Sequence, residues 1–192
     1  MAETKATDGG DTPTAQAKPA RRRISRRKAV EAHARSYFEA LANRDAEAMA
    51  GHWGTEGVDD IVPLGPLRGQ EEQKAFFREL FAAMPDLETT VTRVVAGERE
   101  AAVEWRMTGT FSGAPFQGVD PTGKPLDMRG VDLVEIEDGA IVAITAYYDG
   151  MSFARQIGLM PPRDSSAEQA MKSAFNAATR VRRAVADWRT TR

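Results

Sequence analysis

The 192-residue chain contains no cysteine. That excludes disulfides, thiolate zinc sites and a thiol nucleophile. Histidine is nearly as scarce. His33 and His52 are the only two, so one chain cannot build a three-histidine metal site, and a Ser-His-Asp triad would have two candidate bases. No run of about 18 apolar residues is present, so no helix is expected to span a membrane. The opening MAETKATDGG lacks the apolar stretch of a secretory signal, and RRRISRRK is followed by charged EAHARSYFEA where a twin-arginine export signal needs apolar residues. The expected location is cytoplasmic. No glycine-rich phosphate cradle precedes a helix, because Gly109 to Gly118 falls between strands.

What is present suits one globular core: 42% of residues are apolar and 28% charged. The formal net charge of −2 conceals three regions. Residues 1–28 carry eight Lys or Arg against three acids, and residues 163–192 carry seven against three. Between them, residues 29–162 carry eleven against twenty-two, a net −11. An acidic body repels phosphate backbones, so nucleic acid is an unexpected partner for it. The basic run from Arg21 to Lys28 could meet nucleic acid, an anionic surface or the acidic body itself, or remain a solvated arm. No aromatic residue interleaves the run to stack a base.

Residues 1–27 are therefore expected to form a disordered basic arm, 28–162 a single domain, and 163–192 an amphipathic helical extension. Helical apolar spacing starts at Ile24 and runs to Asn43; a short helix follows from Asp45, its N-cap, to Trp53. Val58–Val62 reads as a strand. Gln70–Met84 is the clearest helix, with Phe76, Phe77, Leu80, Phe81 and Met84 on one stripe and Glu71 and Glu72 in the dipole-favoured first turn. From residue 87 the period falls to two, predicting strands at 87–96, 100–111, 126–137 and 140–149, with Asp138-Gly139 as a hairpin turn. Residues 112–125 form a loop, and helices follow at 150–158 and 165–188. Helices followed by an antiparallel meander imply an α+β fold in which helices close a curved sheet into a cone, whose mouth is a natural small-molecule pocket.

Few side chains are candidates for chemistry. Asp149 ends a strand whose neighbours on its face would be Thr145 and Tyr147. At an aromatic pocket wall its pKa would rise, suiting it to proton transfer; equally, it directly precedes a helix and could simply cap it. Arg106 lies with Glu104, Thr108 and Thr110 on the polar face of the long strand, opposite Val103, Trp105 and Met107. If the polar face lines the cone, Arg106 and Thr108 would orient substrate oxygens together with Tyr147; otherwise Arg106 would pair across strands with Asp132 or Glu135. Asp132 interrupts the apolar run Val131-Leu133-Val134, either as a second pocket acid or as a solvent-facing strand residue. Tyr37 and Trp53 could line the pocket or be plain core, and Phe116, in the Gly/Pro loop, could act as a lid. His33 reads as exposed, and His52 as a minor pocket candidate.

The segment from MPDLETT to QIG resembles the SnoaL-like polyketide cyclases of the nuclear-transport-factor-2-like (cystatin-like) superfamily. The matching marks are Pro85-Asp86-Leu87, Trp105-Arg106 with Gly109-Thr110, Gly118 with Pro121-Thr122-Gly123, Asp138-Gly139, and Asp149 followed by Gln156-Ile157-Gly158. They cover roughly residues 28–160. The resemblance implies the cone-shaped fold, a hydrophobic carbonyl-rich substrate and aldol-type ring closure without cofactor or metal, with Asp149 as general acid. It also matches Tyr37 to a helix-one tyrosine of some cyclases and implies a homodimer through the outside of the sheet. Two departures stand out. Phe111 and Asp132 occupy positions where such proteins often carry histidine, and Arg106-Met107-Thr108 lacks the second carboxylate of the related epoxide hydrolases. The alternatives left standing are a ketosteroid-isomerase-like isomerase and a non-catalytic ligand-binding or protein-interaction domain.

Overall fold

The computed structural model describes residues 17–190. Eleven elements follow in order: α1 (Ala17–Ala42), α2 (Ala46–Gly51), β1 (Trp53–Ile61), β2 (Gly65–Arg68), α3 (Gly69–Ala83), β3 (Glu88–Ala96), β4 (Glu100–Phe111), β5 (Lys124–Glu137), β6 (Ala140–Tyr148), α4 (Gly150–Gln156) and α5 (Ser166–Thr190). The strands make one sheet in the order β2-β1-β6-β5-β4-β3. Every neighbouring pair is antiparallel except β1 with β6. That parallel pair is where the first strand, placed early in the chain, is inserted against the last. The curved sheet with helices α1 and α3 against it is the expected α+β cone.

Local rules explain the frame. Asp138 and Gly139 both have positive φ (47° and 81°), as a two-residue type I′ hairpin requires. Phe77, Leu80 and Ala83 form the buried stripe of α3, and burying such a side chain contributes about 1.5–3 kcal/mol. Tyr37, Phe38 and Leu41 do the same for α1. Asp45 caps α2, accepting the Ala48 N–H at 2.9 Å.

Three boundaries differ from the sequence reading. Part of the expected disordered arm, residues 1–16, lies outside the described residues. From Ala17 onward the chain is helical, so Arg21–Lys28 belongs to α1. The physical reason is the acidic body: Arg23 pairs with Glu98, and Arg27 donates to the Ala96 carbonyl at 3.1 Å. Trp53 starts β1 instead of ending a helix; its indole lies against Gly57, where a Cβ would come within 2.5 Å of the ring. A sixth strand, β2, occupies the turn region after Pro63. Among the described residues no helix is long and apolar enough to cross a membrane.

Candidate active site

The register of the sheet determines what faces the helices. Val103, Asp132, Ala146 and Ile61 lie in one row across β4, β5, β6 and β1. Trp105, Gly130 and Tyr148 form the next row, and Val134, Ile144 and Asp59 the row on the other side. These residues point inward, so the apolar face of the long strand lines the cone. Between them and α1 and α3 lies a narrow hollow of about 70 Å³, bordered by Tyr37, Phe76, Leu80, Met84, Met107 and Met128 among others. At roughly 10–15 Å³ per water this holds only a few waters, well below the roughly 300–1,000 Å³ of a typical ligand pocket.

Two carboxyl groups enter this apolar space. Asp132 is 8% exposed and Asp59 2%. Asp132 Oδ1 accepts the indole N–H of Trp105 at 2.7 Å. Burial pushes its pKa up to about 7, against the lowering effect of that one hydrogen bond. Asp59 is raised well above the usual carboxylate range, first by burial and then by the charges of Asp132 and Asp60. Its Oδ1 has no hydrogen-bond partner among the described residues. Tyr37 is held protonated by burial and by repulsion from both aspartates, with the Trp53 indole opposing. The hollow thus contains one carboxyl raised to about 7 and two further O–H-bearing groups, Asp59 and Tyr37, whose neutral forms burial favours.

Backbone positions enforce this geometry. The Trp105 indole crosses directly over Gly130, where a Cβ would lie 2.3 Å from the ring. Only glycine lets the ring lie flat and reach Asp132 on the neighbouring pair. The hollow is closed by Phe116, which is 3% exposed and touches Phe76 and Phe153 with ring centroids 5.6 and 6.2 Å apart. Its loop is fastened to α3: Gly113 and Ala114 donate to the Ala83 and Ala82 carbonyls at 2.9 Å, and Gln117 donates twice to the Glu79 carboxylate.

Several expected site residues lie elsewhere. Asp149 is exposed and caps α4, its Oδ1 accepting the Ser152 N–H at 2.9 Å; the capping alternative describes its position, and it does not border the hollow. Arg106 is on the outer face, where Nε and Nη2 hold Asp127 in a fork at 2.7 Å each, so its partner is neither Asp132 nor Glu135. Thr108 shares that outer face, paired with Asp127. Tyr147 is 45% exposed on the outside, and Tyr148 takes the inward place. The cause is common to all four: strand alternation is strict, so choosing the wrong face inverts every assignment on it. Tyr37, Asp132 and Phe116 border the hollow; Trp53 is buried behind Tyr37, with rings 6.1 Å apart. Asp59 was missed, although Ile61 two residues on signals the inward parity. His33 and His52 meet edge to face at 4.9 Å, outside the hollow, and His33 Nε2 is buried. Among the described residues no cluster of three His, Asp or Glu could hold a metal ion.

The sequence profile of the SnoaL-like polyketide cyclases matches residues 31–157, and the chain belongs to that family. In fold it is similar to a candidate SnoaL-like polyketide cyclase from Jannaschia sp. CCS1, with 22% identity over 70% of this chain and 95% of that one and a TM-score of 0.64. It is also similar to AclR, a candidate hydroxylase from Streptomyces galilaeus (19% identity, 81% and 98% coverage, TM-score 0.63). A third is a protein of ketosteroid-isomerase-like fold from Catenulispora acidiphila, in complex with trimethylamine (18%, 70% and 96%, TM-score 0.57). Among curated proteins the chain has no match.

Proposed function

We propose that the chain is an enzyme of proton-transfer chemistry on a small apolar carbonyl compound. Asp132 is the base: its carboxylate, held by Trp105, takes a proton from the carbon beside the carbonyl. Tyr37 and protonated Asp59 donate to the enolate oxygen that forms; burial favours the neutral, donating form of both. The same proton returns to another carbon in an isomerisation. In an aldol-type ring closure the enolate carbon attacks a second carbonyl of the same molecule, and Asp132 or Asp59 protonates the alkoxide. Phe116 must swing aside for entry, because the hollow is narrow with the ring in place. Its closure then removes water and strengthens every interaction inside.

The observation that carries this reading is the pair of buried carboxyl groups, of which Asp132 alone receives an indole donor, in an otherwise apolar hollow. The test is deuterium exchange at the α-carbon of simple cyclic ketones, followed by NMR, for the parent, Asp132→Asn and Phe116→Ala. Exchange that needs Asp132 and accelerates in Phe116→Ala supports it. One observation favours a role without chemistry: the small free volume behind a tightly fastened Phe116 loop. Ketone binding by the parent with exchange no faster than in Asp132→Asn would establish that reading instead.

A further inference from the structure

Helix α5 is fastened at its base. Glu168 N–H donates to Ser165 Oγ at 3.1 Å, and the Glu168 carboxylate accepts from Asp164 N–H, Arg155 and Lys172 at 2.8, 2.8 and 3.1 Å. Serine followed three residues later by glutamate is the spacing of a capped helix start. Beyond this knot, every side chain from Gln169 to Arg189 is exposed except Thr179. Phe175 is 68% exposed and Val181 64%. From Met171 to Val185 the helix presents these apolar side chains to water.

Its spacing describes the partner. Met171, Ala174, Ala178, Val181 and Val185 recur in alternating steps of three and four, and Trp188 falls at the next step. That narrow seam is the a/d pattern of a helix that packs against a helix; a membrane-facing stripe would be broader. The flanks are complementary. The g positions are Ala170, Ala177 and Ala184; the e positions are Phe175, Arg182 and Arg189. In a parallel, in-register pair each g residue faces the e residue five positions on in the other helix. Every large side chain then meets an alanine: Ala170 opposite Phe175, Ala177 opposite Arg182, Ala184 opposite Arg189. Charge selects the same orientation. Parallel pairing puts each flanking arginine against an alanine, its stem covering the seam, whereas antiparallel pairing sets the two e rows side by side and can bring Arg182 against its own counterpart. The helix carries five basic and two acidic residues, so an arrangement that avoids facing like charges matters.

We infer that α5 is a dimerisation helix that pairs in parallel and in register with α5 of a second copy. This places two cones side by side at the base of one short coiled coil. It differs from pairing through the outside of the sheet, where Val95, Leu133 and Tyr147 are exposed.

The chain has no cysteine, so single cysteines report contacts cleanly. Ala174→Cys (seam), Asn176→Cys (opposite face) and Leu133→Cys (outer sheet) would be introduced into the full chain and oxidised mildly. Disulfide-linked dimer in Ala174→Cys should exceed that in Asn176→Cys by on the order of tenfold, and adding Val181→Asp should remove it, because a charge in the seam has no partner. An unchanged melting temperature in Val181→Asp would show that the body still folds. A chain monomeric by sedimentation at micromolar concentration overturns the proposal. So does linkage confined to Leu133→Cys, or linkage of mixed Ala174→Cys and Val185→Cys chains in place of Ala174→Cys chains alone.

Discussion

Asp132 and Glu168 are both shielded from water, at 8% and 3% exposure, yet burial leaves them at opposite ends of the carboxyl range. Asp132 is pushed up to about 7 and Glu168 drawn down to about 2. The difference is in the count and charge of donors. Glu168 receives a backbone N–H, an ammonium and a guanidinium, which stabilise its anion more than burial penalises it. Asp132 receives one neutral indole N–H, and burial wins. A carboxyl group satisfied on every side is a fastener. One left short of donors in an apolar hollow exchanges protons near neutral pH, which is what chemistry requires.

The largest expected effect follows from that shortage. Asp132→Asn keeps an oxygen for Trp105 but cannot take a proton, and should lower proton-exchange turnover by about 10²–10⁴-fold. Asp59→Asn retains a neutral donor and should cost much less. A greater loss in Asp59→Asn than in Asp132→Asn, measured as kcat on the same ketone, would reverse the two roles.

How much of this was legible in the sequence depends on which face is read. The frame was legible: α3 from its Phe stripe, four strands from their period, the I′ turn from Asp138-Gly139. The site was not, because a cavity inside a small cone is made of core. Its walls are the apolar face, and the functional groups are the rare polar residues on it. Asp132 was visible as an intruder, but its outer neighbours Val131 and Leu133 are themselves apolar and blurred the alternation; Leu133 is 46% exposed. On β6 a shift of one residue exchanged Tyr147 for Tyr148. The parallel pairing of β1 with β6, which brings Asp59 close to Asp132, is a tertiary event with no local signature.

A second prediction tunes the donor count without removing the acid. The Trp105 hydrogen bond lowers the Asp132 pKa, so deleting it must raise that pKa further. Trp105→Phe should move the alkaline-going rise in kcat/KM upward from about pH 7 by about one to two units, since a hydrogen bond to a charged group is worth about 1.5–3 kcal/mol. Gly130→Ala should act in the same direction by displacing the indole. A pH profile that stays in place in both variants would show that Asp132 does not set it.

Stability should separate the two carboxyl groups by the sign of its pH dependence. Asp132 binds its proton more tightly folded than unfolded, so its contribution is complete below its ordinary pKa near 3.8 and is lost as pH rises to about 7. Glu168 is the reverse: its contribution is present above 4.5 and is lost as pH falls towards about 2. Asp132→Asn should therefore gain on the parent in melting temperature between about pH 4 and pH 8, and Glu168→Gln should converge on the parent as pH falls from 4.5 to about 2. Parallel curves for parent and variant would remove the linkage for that residue.

The smallest effect is expected at Asp149, the acid that the family resemblance singles out. Its carboxylate is outside the hollow and accepts one backbone N–H at the start of α4. Asparagine caps a helix as well as aspartate does, so Asp149→Asn should leave kcat and melting temperature nearly unchanged, while Asp149→Ala should cost about 1 kcal/mol of stability. Loss of turnover in Asp149→Asn with folding intact would return the chemistry to the strand end. The hollow would then have to open there, beside α4, with Asp132 and Asp59 left as shape-setting acids of its floor.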